Sequence, residues 1–217
     1  YKTFYRPDNA VLIVVGDFNQ SQFDGWVDKY FAKIPTNKMA IPRVTETEPD
    51  RKEEQRFIKT APNVPFPAIA VNYLAPTSKS EDIPALKIAE TILSNGESSR
   101  LYQSMVRTNI AQEASFYGDI RVDKGLLVFY AIAAEGKTSE DLEKGWLAEL
   151  SKIQNSFVSA TELAKAKNQL ITKTLLERET NDGKASAIER AIAYQGDPLA
   201  VNSDIQKLQA VSLADVQ

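Results

Sequence analysis

The spacing of hydrophobic residues changes several times along the chain, and each change marks an element. Ala10-Val11-Leu12-Ile13-Val14-Val15 is an unbroken apolar run, largely β-branched, closed by Gly16-Asp17. Such a run predicts a strand buried on both faces. Beyond the turn the period lengthens: Phe23, Trp26, Val27, Tyr30, Phe31 and Ile34 recur at three-four spacing until Pro35. That pattern predicts an amphipathic helix capped by Ser21, with Trp26, Tyr30 and Phe31 in the core. Residues 35–50 carry Pro35, Pro42 and Pro49 and no periodicity, and read as an exposed connector. Residues 56–59 and 67–74 return to strand character on either side of Pro62-Asn63-Val64-Pro65, and Pro76 ends the second strand.

Ser80-Glu81-Asp82 introduces a helix that tolerates Pro84 in its first turn and buries Leu86, Ile88, Ala89, Ile92 and Leu93. Ser98-Ser99 caps a second, short helix with Leu101, Tyr102, Met105 and Val106. Residues 114–120 and 126–134 predict a strand pair turned at Asp123-Lys124-Gly125. The last third is helical. A helix over 139–154 is followed by one opened by the capping box Ser159-Ala160-Thr161-Glu162, and Gly183 predicts a break before a helix over 185–194. Strands adjacent in hairpin fashion favour α+β over a doubly wound sheet. The expected architecture is a mainly antiparallel sheet with helices layered on one face, the other face being left for something else to cover.

The chain of 217 residues, 43% hydrophobic and 25% charged, has length for one sizeable core and reads as a single domain over 1–217. Both ends look like cuts in a longer chain, since it starts at Tyr1 and stops at Ser212-Leu213-Ala214-Asp215-Val216-Gln217, a capped helix one turn long. No window approaches the roughly 18 apolar residues of a membrane span. The charges, 26 basic and 29 acidic, are interleaved, which argues against nucleic acid as a partner. The absence of cysteine and of histidine changes the picture most. Zinc sites normally take imidazole or thiolate, and serine or cysteine nucleophiles normally need a histidine base, so autonomous chemistry of either kind is excluded. Neither a calcium-loop nor a phosphate-loop spacing occurs.

Certain short motifs occur in a characteristic order. They are Tyr5-Arg6-Pro7-Asp8-Asn9-Ala10, Val14-Val15-Gly16-Asp17-Phe18, Lys29-Tyr30-Phe31 with Ile34-Pro35, Tyr73-Leu74-Ala75-Pro76, Ser98-Ser99-Arg100-Leu101-Tyr102 and Glu162-Leu163-Ala164-Lys165-Ala166-Lys167. In order and spacing they resemble the second domain of insulinase/pitrilysin zinc peptidases, over nearly the whole chain. The resemblance implies the α+β fold of mitochondrial-processing-peptidase-like domains. It also implies an upstream domain of the same polypeptide that binds zinc through H-x-x-E-H, and a role for this chain as the non-catalytic wall of a peptide chamber, with no catalytic or metal residue of its own. Members of this layout are often exported, which makes the periplasm the expected compartment.

The family's substrate-contacting arginine matches Arg107, while its tyrosine falls at Ala114, with Tyr117 nearby but out of phase. Arg100 and Tyr102 are further substrate-binding candidates. Each also has a plainer reading: Arg107 as a solvated charge ending a helix, Arg100 as a cap and Tyr102 as a structural residue. Glu177, Glu179 and Asp182 read as a helix surface. The expected partners are the upstream domain, a peptide substrate and, as a further candidate, a second chain of the family. Two alternatives stand beside this reading: a non-catalytic partner or assembly subunit of the same fold, and an unrelated peptide or small-molecule binding module.

Overall fold

Leu126 to Ala133 is an uninterrupted apolar run of 8 residues and forms the central strand, β3. It is flanked by β1 (Ala68–Leu74) and β2 (Ala111–Asp119), both antiparallel to it. The composition explains the position, because a strand paired on both sides presents no free backbone and tolerates apolar residues throughout. The computed structural model describes residues 2–216 apart from residues 37, 47, 48 and 157. Part of the connector expected over 35–50 therefore lies outside the described residues.

Register places Phe116 opposite Phe129 on one side of β3 and Val71 opposite Phe129 on the other. Over this face lies α3 (Ser139–Asn155), opened by a capping box between Thr138 and Asp141. Its Trp146 stacks on Phe129 with centroids 4.5 Å apart and planes 9° from parallel, and on Phe116 at 5.5 Å. The indole Nε1 donates to Tyr73 Oη at 3.2 Å, so burial leaves no orphaned donor.

A second apolar cluster joins α2 (Ile83–Ser94), α4 (Ala160–Glu177) and α6 (Asp204–Ala210) through Ile88, Ile92, Leu163, Ala166 and Leu208. As the sequence predicts, α4 begins at the Ser159–Glu162 capping box. The break expected at Gly183 falls earlier. Thr180 caps α5 (Asn181–Gln195) by accepting from Gly183 N at 3.0 Å, so the glycine sits inside the first turn. A Cβ there would overlap the Glu177 carbonyl oxygen, which is why this corner takes glycine.

The first third of the chain departs from expectation. Asn19, not Ser21, caps α1 (Gln20–Tyr30), its Oδ1 accepting from Gln22 N at 3.0 Å. None of the residues of α1 is buried, and Trp26, Tyr30 and Phe31, expected in the core, are exposed. The run 10–15 forms no strand pairing among the described residues; Val11, Leu12 and Val14 face solvent. Residues 56–59 also form no strand. Phe57 and Ile58 are exposed, and Arg56 is engaged by Glu54 and Glu143. The physical reason is common to both segments: apolar pattern records that a residue is to be covered, whereas a strand exists only where a second backbone lies alongside.

Candidate functional site: the open face of the sheet

Side chains alternate across a strand, so the residues between those that meet Trp146 face the opposite way. On that side stand Asn72 of β1, Ser115 and Tyr117 of β2, and Tyr130 and Ile132 of β3. Tyr117 is 46% exposed, Asn72 is exposed, and Ser115, Tyr130 and Ile132 are half-buried. Tyr117 lies opposite Val128, and Ser115 opposite Tyr130, which makes the two phenols diagonal neighbours on one surface. The sheet thus has a face packed by α3 and a face, amphipathic in character, left open.

The two edges of the sheet differ. Along β2, Ser94 Oγ accepts from Phe116 N at 2.5 Å and Glu90 Oε2 accepts from Gly118 N at 3.2 Å, so α2 occupies the outward amides. Burial pushes the Glu90 carboxyl above its ordinary value, against the opposing pull of the Gly118 N–H and of Lys173 and Lys87. Along β1, Pro67 O accepts from Ala133 N at 2.8 Å and Ala75 N donates to Gly125 O at 3.0 Å. Odd-numbered residues therefore face β3, and the backbone groups of Ala68, Ala70, Asn72 and Leu74 point outward with no backbone partner among the described residues. An open face beside an open edge is the arrangement by which a sheet accepts an extended chain.

The residues singled out from sequence divide between two places. The helix after Ser98-Ser99 is wound largely as a π turn, Tyr102–Val106, and Arg107 N donates to Tyr102 O at 2.8 Å across it. Tyr102 and Arg107 therefore mark the two ends of one turn, a local widening common at functional sites. Arg107 is exposed, its Nη1 donating to Gln103 Oε1 at 2.9 Å, while Met105 between them is fully buried. Arg100 lies elsewhere: it pairs with Glu162 at the start of α4 at 2.9 Å. The expected cap on neighbouring carbonyls is thus an ion pair. Ala114, where the resemblance leads one to expect the family's tyrosine, packs with the Phe116–Trp146 cluster and so points away from the open face on which Tyr117 stands.

Tyr130, Ser115 and Asn72 were not legible as a group. The signal that could have found the phenols is a repeated pair, Phe116-Tyr117 and Phe129-Tyr130, in which the phenylalanine meets Trp146 and the tyrosine takes the other face. Among the described residues no cluster of three or more His, Cys, Asp or Glu could hold a metal ion. With no imidazole or thiolate in the sequence, the donor set does not suit zinc, and no chemical step is routed through a metal in this chain. Among the described residues no helix is long and apolar enough to cross a membrane.

The geometry defines an α+β domain with one sheet face open. Residues 1–170 match the family described as "Peptidase M16 inactive domain", and the chain belongs to that family. It is 27% identical over 169 residues to the zinc protease PqqE of Helicobacter pylori, covering 77% of this chain and 38% of that protein. It is 24% identical over 243 residues to the mitochondrial ubiquinol-cytochrome-c reductase complex core protein I of Euglena gracilis, covering 99% of this chain and 48% of that one. The crystal structure of a protease from Helicobacter pylori superimposes with a TM-score of 0.93 at 24% identity, over 99% of this chain and 52% of the other. The chain thus spans about half or less of the length of the curated relatives it matches.

Proposed function

We propose that this chain is the non-catalytic wall of a peptide-holding chamber, set opposite a zinc-bearing domain in a metalloendopeptidase. The observation that carries this is the open sheet face with Tyr117 and Tyr130, adjoining the edge of β1 that has no backbone partner among the described residues. An extended peptide would meet backbone donors and acceptors along that edge and aromatic, hydroxyl and carboxamide groups on the face. Arg107, exposed at the end of the π turn, is suited to a substrate carbonyl, and Tyr102 sits at the other end of the same turn. Arg100, already paired, is the weakest of the three candidates. A domain of this kind lowers the barrier by orienting the peptide and excluding water, without proton transfer.

A second reading, favoured by the similarity to a respiratory-complex core protein, makes the parent a non-catalytic partner or assembly subunit. Zinc content and cleavage of an unstructured peptide library separate the two. Zinc and chelator-sensitive cleavage in the full-length parent, with neither in the 217-residue chain, are the expected results. A parent without zinc that cuts nothing transfers the assignment to the second reading, and a chain that cleaves alone overturns both.

A further inference from the structure

Over residues 113–119 the odd-numbered positions of β2 pair with β3, so the outward backbone groups are those of Ala114, Phe116 and Gly118. An edge of this kind is a template for another chain's backbone. Two of these three amides are nonetheless taken: Phe116 N donates to Ser94 Oγ at 2.5 Å and Gly118 N donates to Glu90 Oε2 at 3.2 Å, both acceptors standing on α2. The spacing accounts for the match. Residues i and i+4 of a helix lie about 6 Å apart along its axis, and residues i and i+2 of a strand about 6.6 Å apart. Helix and strand therefore run antiparallel, with one helical turn to each two residues of strand. The series ends where the elements end. β2 stops at Asp119 and α2 stops at Ser94, and Ala114 N, one step beyond, has no acceptor among the described residues.

We infer that Ser94 and Glu90 close the β2 edge, α2 serving as a surrogate strand that keeps another backbone from adding to the sheet there. A strand laid along this edge needs the N–H groups of Phe116 and Gly118, and both are engaged. The carbonyls of Ala114, Phe116 and Gly118 have no donor among the described residues, so what the edge still offers is acceptors without their matching donors. Ser94 and Glu90 are themselves half-buried, and α2 is held in place from two directions. Its Leu93 belongs to the cluster around Trp146, while Ile88 and Ile92 belong to the cluster shared with α4 and α6. The closure is thus built into the packing of the domain. It leaves the sheet with one edge shut and the other, along β1, free of backbone partners among the described residues, which directs an incoming extended chain to β1. None of this depends on zinc or on a peptide substrate.

Amide hydrogen exchange resolved to single residues, in the full-length parent, tests the closure. In the wild type, Phe116 and Gly118 should exchange at least about 10-fold more slowly than Ala114, at every protein concentration. Ser94→Ala combined with Glu90→Ala should abolish that difference in dilute solution. Protection of all three amides should then return as concentration rises, because the opened β2 edges of two copies can pair with each other. Ser94→Thr combined with Glu90→Gln keeps both acceptors and should behave as wild type. Equal wild-type rates at the three positions would overturn the inference. So would a double-alanine variant that keeps its protection when dilute, or one whose amides exchange fast at every concentration, since the two side chains would then hold nothing or guard nothing. If the double variant does not fold, Ser94→Ala alone frees Phe116 N and is read in the same way.

Discussion

Arg100 grips both oxygens of Glu162, Nε to Oε1 at 2.9 Å and Nη2 to Oε2 at 3.1 Å, while the same carboxylate accepts from Ser159 N at 3.0 Å. One side chain thus closes the capping box of α4 and ties it to the segment that leads into the π turn. The Arg100 hydrogen bonds, ahead of the Ser159 contacts, lower the Glu162 carboxyl to about 2. A depressed folded value means that the stabilisation is present above the ordinary carboxylate value and is lost as pH falls through the folded one. Arg100→Met should cost about 1–2 kcal/mol at neutral pH, after allowance for solvent screening of a partly exposed pair. It should also flatten the loss of stability between about pH 5 and pH 2. Thermal unfolding across that range checks both, and an unchanged acid profile in the variant would mean that Arg100 does not hold the Glu162 carboxylate in the folded chain.

Glu90 carries the opposite sign. Burial raises its carboxyl while it accepts from Gly118 N, so its charged form is disfavoured on folding. A raised folded value gives stability that is fully present below the unfolded value and lost as pH rises through the folded one. Glu90→Gln keeps an acceptor for the amide and removes the charge. It should therefore raise stability at neutral pH by on the order of 0.5 kcal/mol, screened because the site is only partly buried. The gain should disappear below the ordinary carboxylate value. Urea midpoints at acid and neutral pH decide it: a clear destabilisation at neutral pH would mean that the Gly118 N–H, Lys173 and Lys87 hold Glu90 as a carboxylate against its burial.

What could be read in the sequence follows from where each burial is satisfied. The run from Leu126 to Ala133 and the box at Ser159–Glu162 were legible because their partners lie within the chain. So was an antiparallel sheet with helices on one face, with the other face left open. The run 10–15 and the stripe Trp26, Tyr30, Phe31 were equally clear as apolar patterns, yet the inference that this chain buries them was wrong. Pattern does not name the surface that does the covering. Arg100 could not be assigned from spacing, since its partner Glu162 lies 62 residues away. Tyr130 escaped notice because an unbroken apolar strand hides which of its faces is open.

Two glycines provide a contrast between fit and mere presence. At Gly183 a Cβ would strike the backbone of Glu177, which cannot swing aside as a side chain would, whereas at Gly25, inside α1, nothing lies within 4 Å. Gly183→Ala should cost at least about 2 kcal/mol by forcing the α4–α5 corner apart. Gly25→Ala should cost nothing and should favour the helix by up to about 1 kcal/mol. Differential scanning of the two variants with the wild-type chain tests the pair, and a Gly183→Ala chain that melts with wild type would show that the corner is not closed against the Glu177 carbonyl.

The orientation of β2 makes a sharper demand on the proposed chamber. Ala114 packs toward Trp146 and Tyr117 toward the open face, although the resemblance leads one to expect the family's tyrosine at the former position. If Tyr117 holds substrate, Tyr117→Phe in the full-length parent should raise KM about three- to tenfold with kcat and zinc content unchanged, the pattern of binding lost equally in ground and transition states. Arg107→Ala should act in the same direction, with Arg107→Lys restoring part of the loss by retaining the charge. Ala114→Tyr should not improve cleavage. It would push a phenol into a packed cluster and cost about 1–3 kcal/mol of stability. A stable, more active Ala114→Tyr parent would reverse the assignment of faces, because a phenol can gain a substrate contact at that position only if residue 114, not residue 117, looks into the chamber.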